Sequence, residues 1–348
     1  MIPGLGIYVN NRAAVFMRET YSLAKLLEAA RLAEQLGFEF VSVGDSPLAK
    51  PRYTPIPVLA AIAAQTSRIR LSTGILQPHM RHPVMLAQDW ATLDELSGGR
   101  TWFTVGLGTG PPELVAHEYQ VIGIPKKRRG VAFEESIEII KRLWTENTVS
   151  YAGSIFRFEN VTLGYTTAQQ PHPPVIIACG GYIPRQAGTG PNDFFSEARA
   201  GTFHGPFDRV ARLGDGWITG IITPDEYRTT LALIRTIAAE RYQRTLDASF
   251  RTILNCFIHV ADDAKTARRE GIAFLEQYHR RPFDDETVRR WLIYGSPEEC
   301  AERIQRFAEV GVQSFQLVPA SRDPLAQIER IAERVMPLLQ NTRVSEAS

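Results

Sequence analysis

Four short stretches carry residues that could do chemistry or seat a cofactor. Gln77-Pro78-His79-Met80-Arg81-His82-Pro83 sets two imidazoles around a guanidinium. Groups of this kind polarise or protonate a bound substrate when held in place. Asp45-Ser46 follows an apolar run, where a carboxylate could meet a ligand or merely cap the next segment. Gly106-Leu107-Gly108-Thr109-Gly110 and Gly180-Gly181 are nearly bare of side chains, so backbone can approach a ring or a phosphate closely. The first of these glycine runs resembles a dinucleotide fingerprint, yet Pro111-Pro112 follow it and no acidic residue closes such a unit; a tight turn is its other reading. A metal at His79 and His82 would want ligands from elsewhere. No Gly-x-Ser-x-Gly elbow, phosphate-binding P-loop or Ser/His/Asp order is found. Chemistry carried by a bound cofactor is the economical reading.

These residues need a scaffold, and the chain repeats one phrase that supplies it. An amphipathic helix ends at glycine and a short apolar strand follows. Leu26 to Leu36, Gly37, then Phe38 to Gly44 is the first instance. It returns at Leu93 to Ser97 before Trp102 to Leu107, at Val210 to Leu213 before Trp217-Ile218, and at Ile304 to Val310 before Val312 to Val318. Leu5 to Val9, Ile69 to Leu76, Val175 to Cys179 and Ile253 to Val260 have strand composition too. About eight strands alternating with helices predict a closed α/β barrel, a (β/α)8 TIM barrel. A doubly wound open sheet is the alternative, but it needs a topological switch point that the order of elements does not offer.

Such barrels carry their sites at the C-terminal strand ends. There the chain places Asn10-Asn11, Asp45-Ser46, Ser72-Thr73-Gly74-Ile75, Gly106 to Gly110, Gly180-Gly181 and Thr219-Gly220. Small and hydroxylated residues of this kind let backbone come close to a flat ring with a phosphate-bearing arm, as a flavin requires. No lysine stands at these ends, which counts against a Schiff-base aldolase. Asn147 to Pro174 contains a small hairpin turning at Ala152-Gly153. Gly180 to Pro206 and Arg280 to Tyr294 read as irregular stretches, more in keeping with lids or binding loops at the rim than with linkers.

The 348 residues suit one barrel domain over 1–340, with 341–348 as a frayed tail. Lys+Arg number 39 and Asp+Glu 38, without the basic excess of a nucleic-acid binder. The dense cluster Lys126-Lys127-Arg128-Arg129 reads as a solvated helix start, with a phosphate contact as the alternative. The 3 cysteines are scattered, which excludes a disulfide scaffold. The N-terminus lacks a signal-peptide pattern and no apolar run reaches membrane length, so a cytoplasmic protein is expected.

Several motifs together resemble the bacterial-luciferase-like superfamily: Ala33-Glu34-Gln35-Leu36-Gly37-Phe38 with Val43-Gly44-Asp45; Arg68 to Gly74; Arg81-His82-Pro83; Ser97-Gly98-Gly99-Arg100; Gly106-Leu107-Gly108-Thr109-Gly110; Gly214-Asp215-Gly216-Trp217; and Gly295-Ser296-Pro297-Glu298. The resemblance spans nearly the whole chain. It implies a (β/α)8 barrel, often dimeric, that uses FMN or the deazaflavin coenzyme F420 on a small-molecule substrate. With FMN, a flavin reductase would supply the reductant. It implies a ring seated on a third-strand bulge at Gly74-Ile75, often with a non-proline cis peptide, beside Asp45, Ser46 and Thr73. Gly106, Gly108 and Thr109 would line the pocket and Gly180-Gly181 meet the phosphate.

Two positions depart from the family pattern. Sugar-phosphate and alcohol dehydrogenases of the deazaflavin branch carry His directly after the Asp, and here it is Ser46, which counts against an Asp–His pair oxidising an alcohol. The Glu often found past the glycine run is Pro111, with Glu113 two residues on. His79, Arg81 and Glu113 are then the candidates to polarise or protonate a substrate. A flavin-binding protein without turnover on the same barrel is the competing expectation.

Overall fold

A computed structural model of the chain describes residues 2–180 and 205–341. Most barrel strands form where the chain places a short buried apolar run after a helix. The eight are β1 (Gly4–Tyr8), β2 (Phe40–Val43), β3 (Arg70–Thr73), β4 (Thr101–Val105), β7 (Val175–Ala178), β8 (Gly216–Gly220), β9 (Arg251–Val260) and β11 (Ser314–Pro319). Of these, β1 opens the chain and β7 follows a hairpin. All pair in parallel in the order β9-β11-β1-β2-β3-β4-β7-β8, and β8 pairs back onto β9. The sheet is thus a closed parallel barrel of eight strands, as expected.

The helix Leu23–Gln35 shows how the repeated phrase works. Ser22 accepts from Lys25 N at 3.1 Å to start it. Gly37, at φ +82°, ends it, and Phe38 N returns to Ala33 O at 3.0 Å. The chain is thereby turned straight into β2.

Side chains alternate along each strand. Outward residues such as Ile7, Val41, Leu71 and Phe103 pack against the helices in one large core. Inward, Phe40, Trp102, Ile176, Ile218 and Ile253 fill the barrel as a separate apolar cluster. Gly6 faces Phe40 so closely that a Cβ there would overlap the ring, which leaves the position to glycine.

β3 ends earlier than the apolar run Ile69 to Leu76 suggests. Ser72 pairs with Trp102 and Leu76 next pairs with Val105, so four steps on one strand oppose three on the other. The extra residue is a bulge at Gly74-Ile75, whose peptide bond is cis. Both features implied by the family resemblance are therefore present.

The hairpin is β5 (Val149–Ala152) with β6 (Arg157–Val161), and the buried Glu135 carboxylate accepts from Ser154 N, Ile155 N and Phe156 N across its turn. The stretch Arg280 to Tyr294, read as irregular, is instead structured. Asp284 accepts from Thr287 N at 2.8 Å and opens the helix Asp285–Trp291. β10 (Leu292–Gly295) then pairs with β9 outside the barrel. Its run of apolar residues is short and follows charged ones, which hid the strand. Most of Gly180 to Pro206, with Phe194 and its neighbours, lies outside the described residues, as do 342–348 of the tail.

Candidate active site

The C-terminal mouth of the barrel gathers most of the residues nominated by their strand-end positions. Ile75 lies over the apolar barrel interior and closes its top. Gly106 stands beside it: a Cβ there would come 3.0 Å from Ala178 Cβ and 3.2 Å from Ile75 Cδ1. Below Gly74 lies Gln316, 2.7 Å from where a Cβ would be, with its Nε2 donating to Asn255 Oδ1 at 2.9 Å. The result is a small apolar shelf with polar groups beneath and beside it. Asn10 Nδ2, Ser42 Oγ and Gln316 Oε1 are buried without a hydrogen-bond partner among the described residues. Unmet polar atoms are costly and rare in a finished interior. Around a shelf lacking large side chains they fit a flat heteroaromatic ring, so the residues present suit a flavin or deazaflavin.

Asp45 follows β2 and is nearly fully buried. Arg81 donates to both of its oxygens, at 2.7 and 2.9 Å, and Gln77 N donates at 3.0 Å. Asp45 N in turn donates to Ile75 O at 3.0 Å. Asp45 and Arg81 thus tie the bulge to the loop that follows it. Thr73 turns outward and donates to Thr104 O, stitching β3 to β4 below the shelf. Ser46 Oγ accepts from Lys50 N at 2.9 Å. Gly108, at φ +72°, lies against the Gln77 side chain, and Thr109 is exposed and accepts from Lys50 Nζ at 3.3 Å. Gly180 is exposed at the end of β7; Gly181 lies outside the described residues.

Two of the three acid–base candidates are not brought to the shelf. His79 is fully enclosed. Its Nε2 meets Tyr119 Oη at 2.6 Å, and its ring stacks on Tyr119 and meets Phe133 edge-on. Burial first, then the charges of Arg129, Arg209 and Arg81, push its pKa down to about 3, so it is neutral. Glu113 is exposed in the first turn of the helix Pro112–Ile122. The carboxylate of that helix that reaches the rim is Glu118, 1% exposed, which accepts from Leu48 N at 2.8 Å and Ala49 N at 3.1 Å. Its signal was legible: Val115, Glu118, Tyr119 and Ile122 form a helical stripe, with a carboxylate on the side that packs inward. His82 contacts Phe156 edge-on, and among the described residues no three His, Cys, Asp or Glu converge to hold a metal.

Asn11, already placed at a strand end, and several residues not nominated from the sequence form the rest of the mouth. Arg52 Nη1 donates to Tyr8 Oη at 3.0 Å directly over Gly44, where a Cβ would overlap both. Asn11 Nδ2 donates to Gly44 O and Tyr53 O, at 2.7 and 2.6 Å, and binds the loop after β1 to the loop after β2. Phe257 meets His279 and Trp291 edge-on, and His279 and Trp291 lie tilted against each other, at one side. These residues are scattered in sequence and only barrel closure brings them together.

A parallel barrel with a bulged third strand and a small-residue shelf at its mouth is the architecture of one class of cofactor-dependent enzymes. The family model described as "Luciferase-like monooxygenase" matches residues 5–188 and 206–314, and the chain belongs to that family. It is therefore an oxidoreductase. Over 92% of its length it is 29% identical to an F420-dependent glucose-6-phosphate dehydrogenase of Beutenbergia cavernae, covering 95% of that protein. A second F420-dependent glucose-6-phosphate dehydrogenase, of Segniliparus rotundus, is 26% identical over 93% of the chain and 96% of the relative. Among solved structures, a monooxygenase from Streptomyces bottropensis superposes with a TM-score of 0.75 at 24% identity, covering 96% of this chain and 99% of that one. The F420-dependent tetrahydromethanopterin reductase of Methanopyrus kandleri superposes with a TM-score of 0.73 at 18% identity, covering 97% and 100%. These two likenesses speak to the fold. No helix among the described residues is long and apolar enough to cross a membrane.

Proposed function

We propose that this protein is an F420-dependent oxidoreductase that moves a hydride between the deazaflavin ring and a small organic molecule. The observation that carries the reading is the shelf of Gly74, Ile75, Gly106 and Ala178, with unmet polar atoms of Asn10, Ser42 and Gln316 around it. The full-length similarity to relatives named as F420-dependent supports the deazaflavin over FMN.

In this reading Gly74 and Ile75 back the ring, Gly106 leaves room for it, and Gly180 with Gly181 offers N–H groups to a phosphate. The bound deazaflavin supplies or accepts a hydride at its open face. Asp45 and Arg81 hold the bulge and the following loop in register with β4, so that the shelf is formed before the ligand arrives. His79 acts at one remove, by fixing Tyr119 and the helix that carries Glu118. Glu113, on the exposed first turn, stands where a proton can be exchanged with solvent. Ser46 in place of a second acid–base group counts against alcohol oxidation and equally against its reverse, ketone reduction, and favours reduction of an imine or enone.

A titration of the purified protein with F420 and with FMN, each oxidised and reduced, tests this. Tight F420 binding with indifference to FMN is the expected result. Tight binding of reduced FMN would overturn it and make the protein a monooxygenase fed by a flavin reductase. Binding of either without turnover of imines, enones or ketones would favour the flavin-binding protein that is not an enzyme.

A further inference from the structure

We propose that the barrel mouth contains an anion site, built by Arg12, Lys50 and Arg52 with the His279 imidazole, that seats a carboxylate or phosphate group of the substrate beside the ring shelf. The inference deepens the preceding reading and rests on it for the word substrate.

The cations come from two loops that are locked together. Arg12 follows β1; Lys50 and Arg52 follow β2. Asn11 joins the loops through Gly44 O and Tyr53 O, and Arg52 Nε donates to Lys50 O at 3.1 Å. The cations are therefore held in place by backbone and not simply splayed on a surface. Their partners are aromatic or neutral. Arg12 lies 4.8 Å over the Tyr278 ring and 5.2 Å over Phe16. Arg52 meets the Tyr8 hydroxyl, and Lys50 the Thr109 hydroxyl. Among the described residues, the ion pairs within 4.0 Å include none to Arg12, Lys50 or Arg52. The carboxylate that acts on Arg52 is Asp45, and both of its oxygens are already held by Arg81; the one that acts on Lys50 is Glu118, whose Oε1 is taken by Leu48 N and Ala49 N.

Like charges gathered at a half-buried site repel one another. Burial, then Arg52, Arg12 and Arg281, hold Lys50 down at about 7. Burial, then Lys50, Arg12, Arg281 and Arg52, push His279 to about 2, so the imidazole is neutral. Its Nε2 is buried with no partner among the described residues. A neutral imidazole can carry its proton on that nitrogen and donate it. An anion among these groups would relieve the repulsion and satisfy the orphaned nitrogen at once.

The site is continuous with the shelf. Arg52 sits over Gly44, one residue from Asp45, and Lys50 reaches across to Thr109 on the glycine loop after β4. On its far side the imidazole packs 4.9 Å from Trp291 and 5.8 Å from Phe257, ring centre to ring centre. An anionic head held by the cations and a flat apolar body along these rings would orient the reacting atom over the shelf. The class is thus an apolar or aromatic organic acid or phosphate ester.

The test is a titration of the full-length protein with inorganic phosphate and, separately, with benzoate, followed by tryptophan emission, in wild type, Arg12→Gln, Lys50→Gln and the double variant. F420 affinity and a thermal melt are recorded for each. The expected result is saturable binding of at least one probe that weakens about tenfold or more per variant, as loss of a charged hydrogen bond would, with F420 affinity held and melting not lowered. Benzoate preferred over phosphate would assign the carboxylate, and the reverse the phosphate. Probe binding that is absent, or unmoved by the variants, overturns the site. F420 affinity falling in parallel also overturns it, because the cations would then hold the cofactor. If F420 fails to bind the wild type while the probes bind and respond, the anion site stands and the F420 reading falls.

Discussion

Arg81 and Asp45 form a two-pronged ion pair at the mouth of the barrel, Nη1 to Oδ2 at 2.7 Å and Nη2 to Oδ1 at 2.9 Å. The Asp45 side chain is 2% exposed and that of Arg81 24%. One carboxylate thus locks the bulge, its following loop and the end of β2. Removing Arg81 would leave a buried charge with only the Gln77 N–H. We expect Arg81→Ala to destabilise the protein by about 3 kcal/mol and to weaken F420 binding, read by urea unfolding and by cofactor titration. Unchanged unfolding would show that the pair contributes nothing to the shelf.

The shelf itself is tested at Gly106. A valine there would place its Cβ 3.0 Å from Ala178 and 3.2 Å from Ile75, and its methyls would occupy the space above. Gly106→Val should abolish cofactor binding while far-ultraviolet circular dichroism stays native. Gly74→Leu, which drives into Gln316, should do the same with a larger loss of melting temperature. Normal cofactor affinity in both variants would place the ring elsewhere.

His79 makes a pH prediction with a definite sign. Its folded pKa of about 3 lies below the ordinary 6.5, so between these values the unfolded chain binds a proton that the folded one refuses. Stability is therefore lost as pH falls below about 6.5. His279, held at about 2, acts in the same direction. His79→Phe keeps the stack on Tyr119 but loses the titration. Its melting temperature should fall less than that of wild type between pH 7 and 5, by ~one proton of linkage. Parallel curves would mean that His79 does not titrate as its burial requires.

Lys50 acts with the same sign in a higher pH window. Its folded pKa of about 7 is well under the ordinary 10.5, so below pH 7 the fold bears a charge it disfavours, and stability rises with pH between the two values. Lys50→Met should raise the melting temperature at pH 6.5, and the gain should shrink by pH 10. A group kept at the expense of stability is the signature of function. No gain at pH 6.5 would remove that argument.

Glu118 ties the loop of Lys50 to the helix Pro112–Ile122 through Leu48 N and Ala49 N. Glu118→Ala should lower stability by about 2 kcal/mol and raise hydrogen exchange at Leu48 to Lys50 in particular. Exchange that rises evenly over the barrel would mean the contact is global rather than local.

The repeated helix, glycine and apolar strand were enough to foresee the barrel, because that phrase depends on local rules: the helical stripe, the left-handed residue that ends it, and the buried run that follows. Asp45, Gly74-Ile75 and Gly106 could be placed at the mouth for the same reason, since strand-end position is readable along the chain. β10 escaped because its few apolar residues follow a charged helix, and its pairing with β9 is decided at a distance. The Asp45–Arg81 lock and the burial of His79 behind Tyr119 depend on which way a side chain points, whereas the inward side of Glu118 could be read from its helical stripe. Arg12, the pair Lys50 and Arg52, and His279 come from three separate stretches of sequence and are ordinary there. They meet because β11 pairs with both β9 and β1, and β1 with β2, which carries the end of the helix Ala264–His279 to the loops after β1 and β2. The chain's local patterns determined the barrel and the ends of its strands; the order in which the strands pair decided which charges and rings would share one mouth.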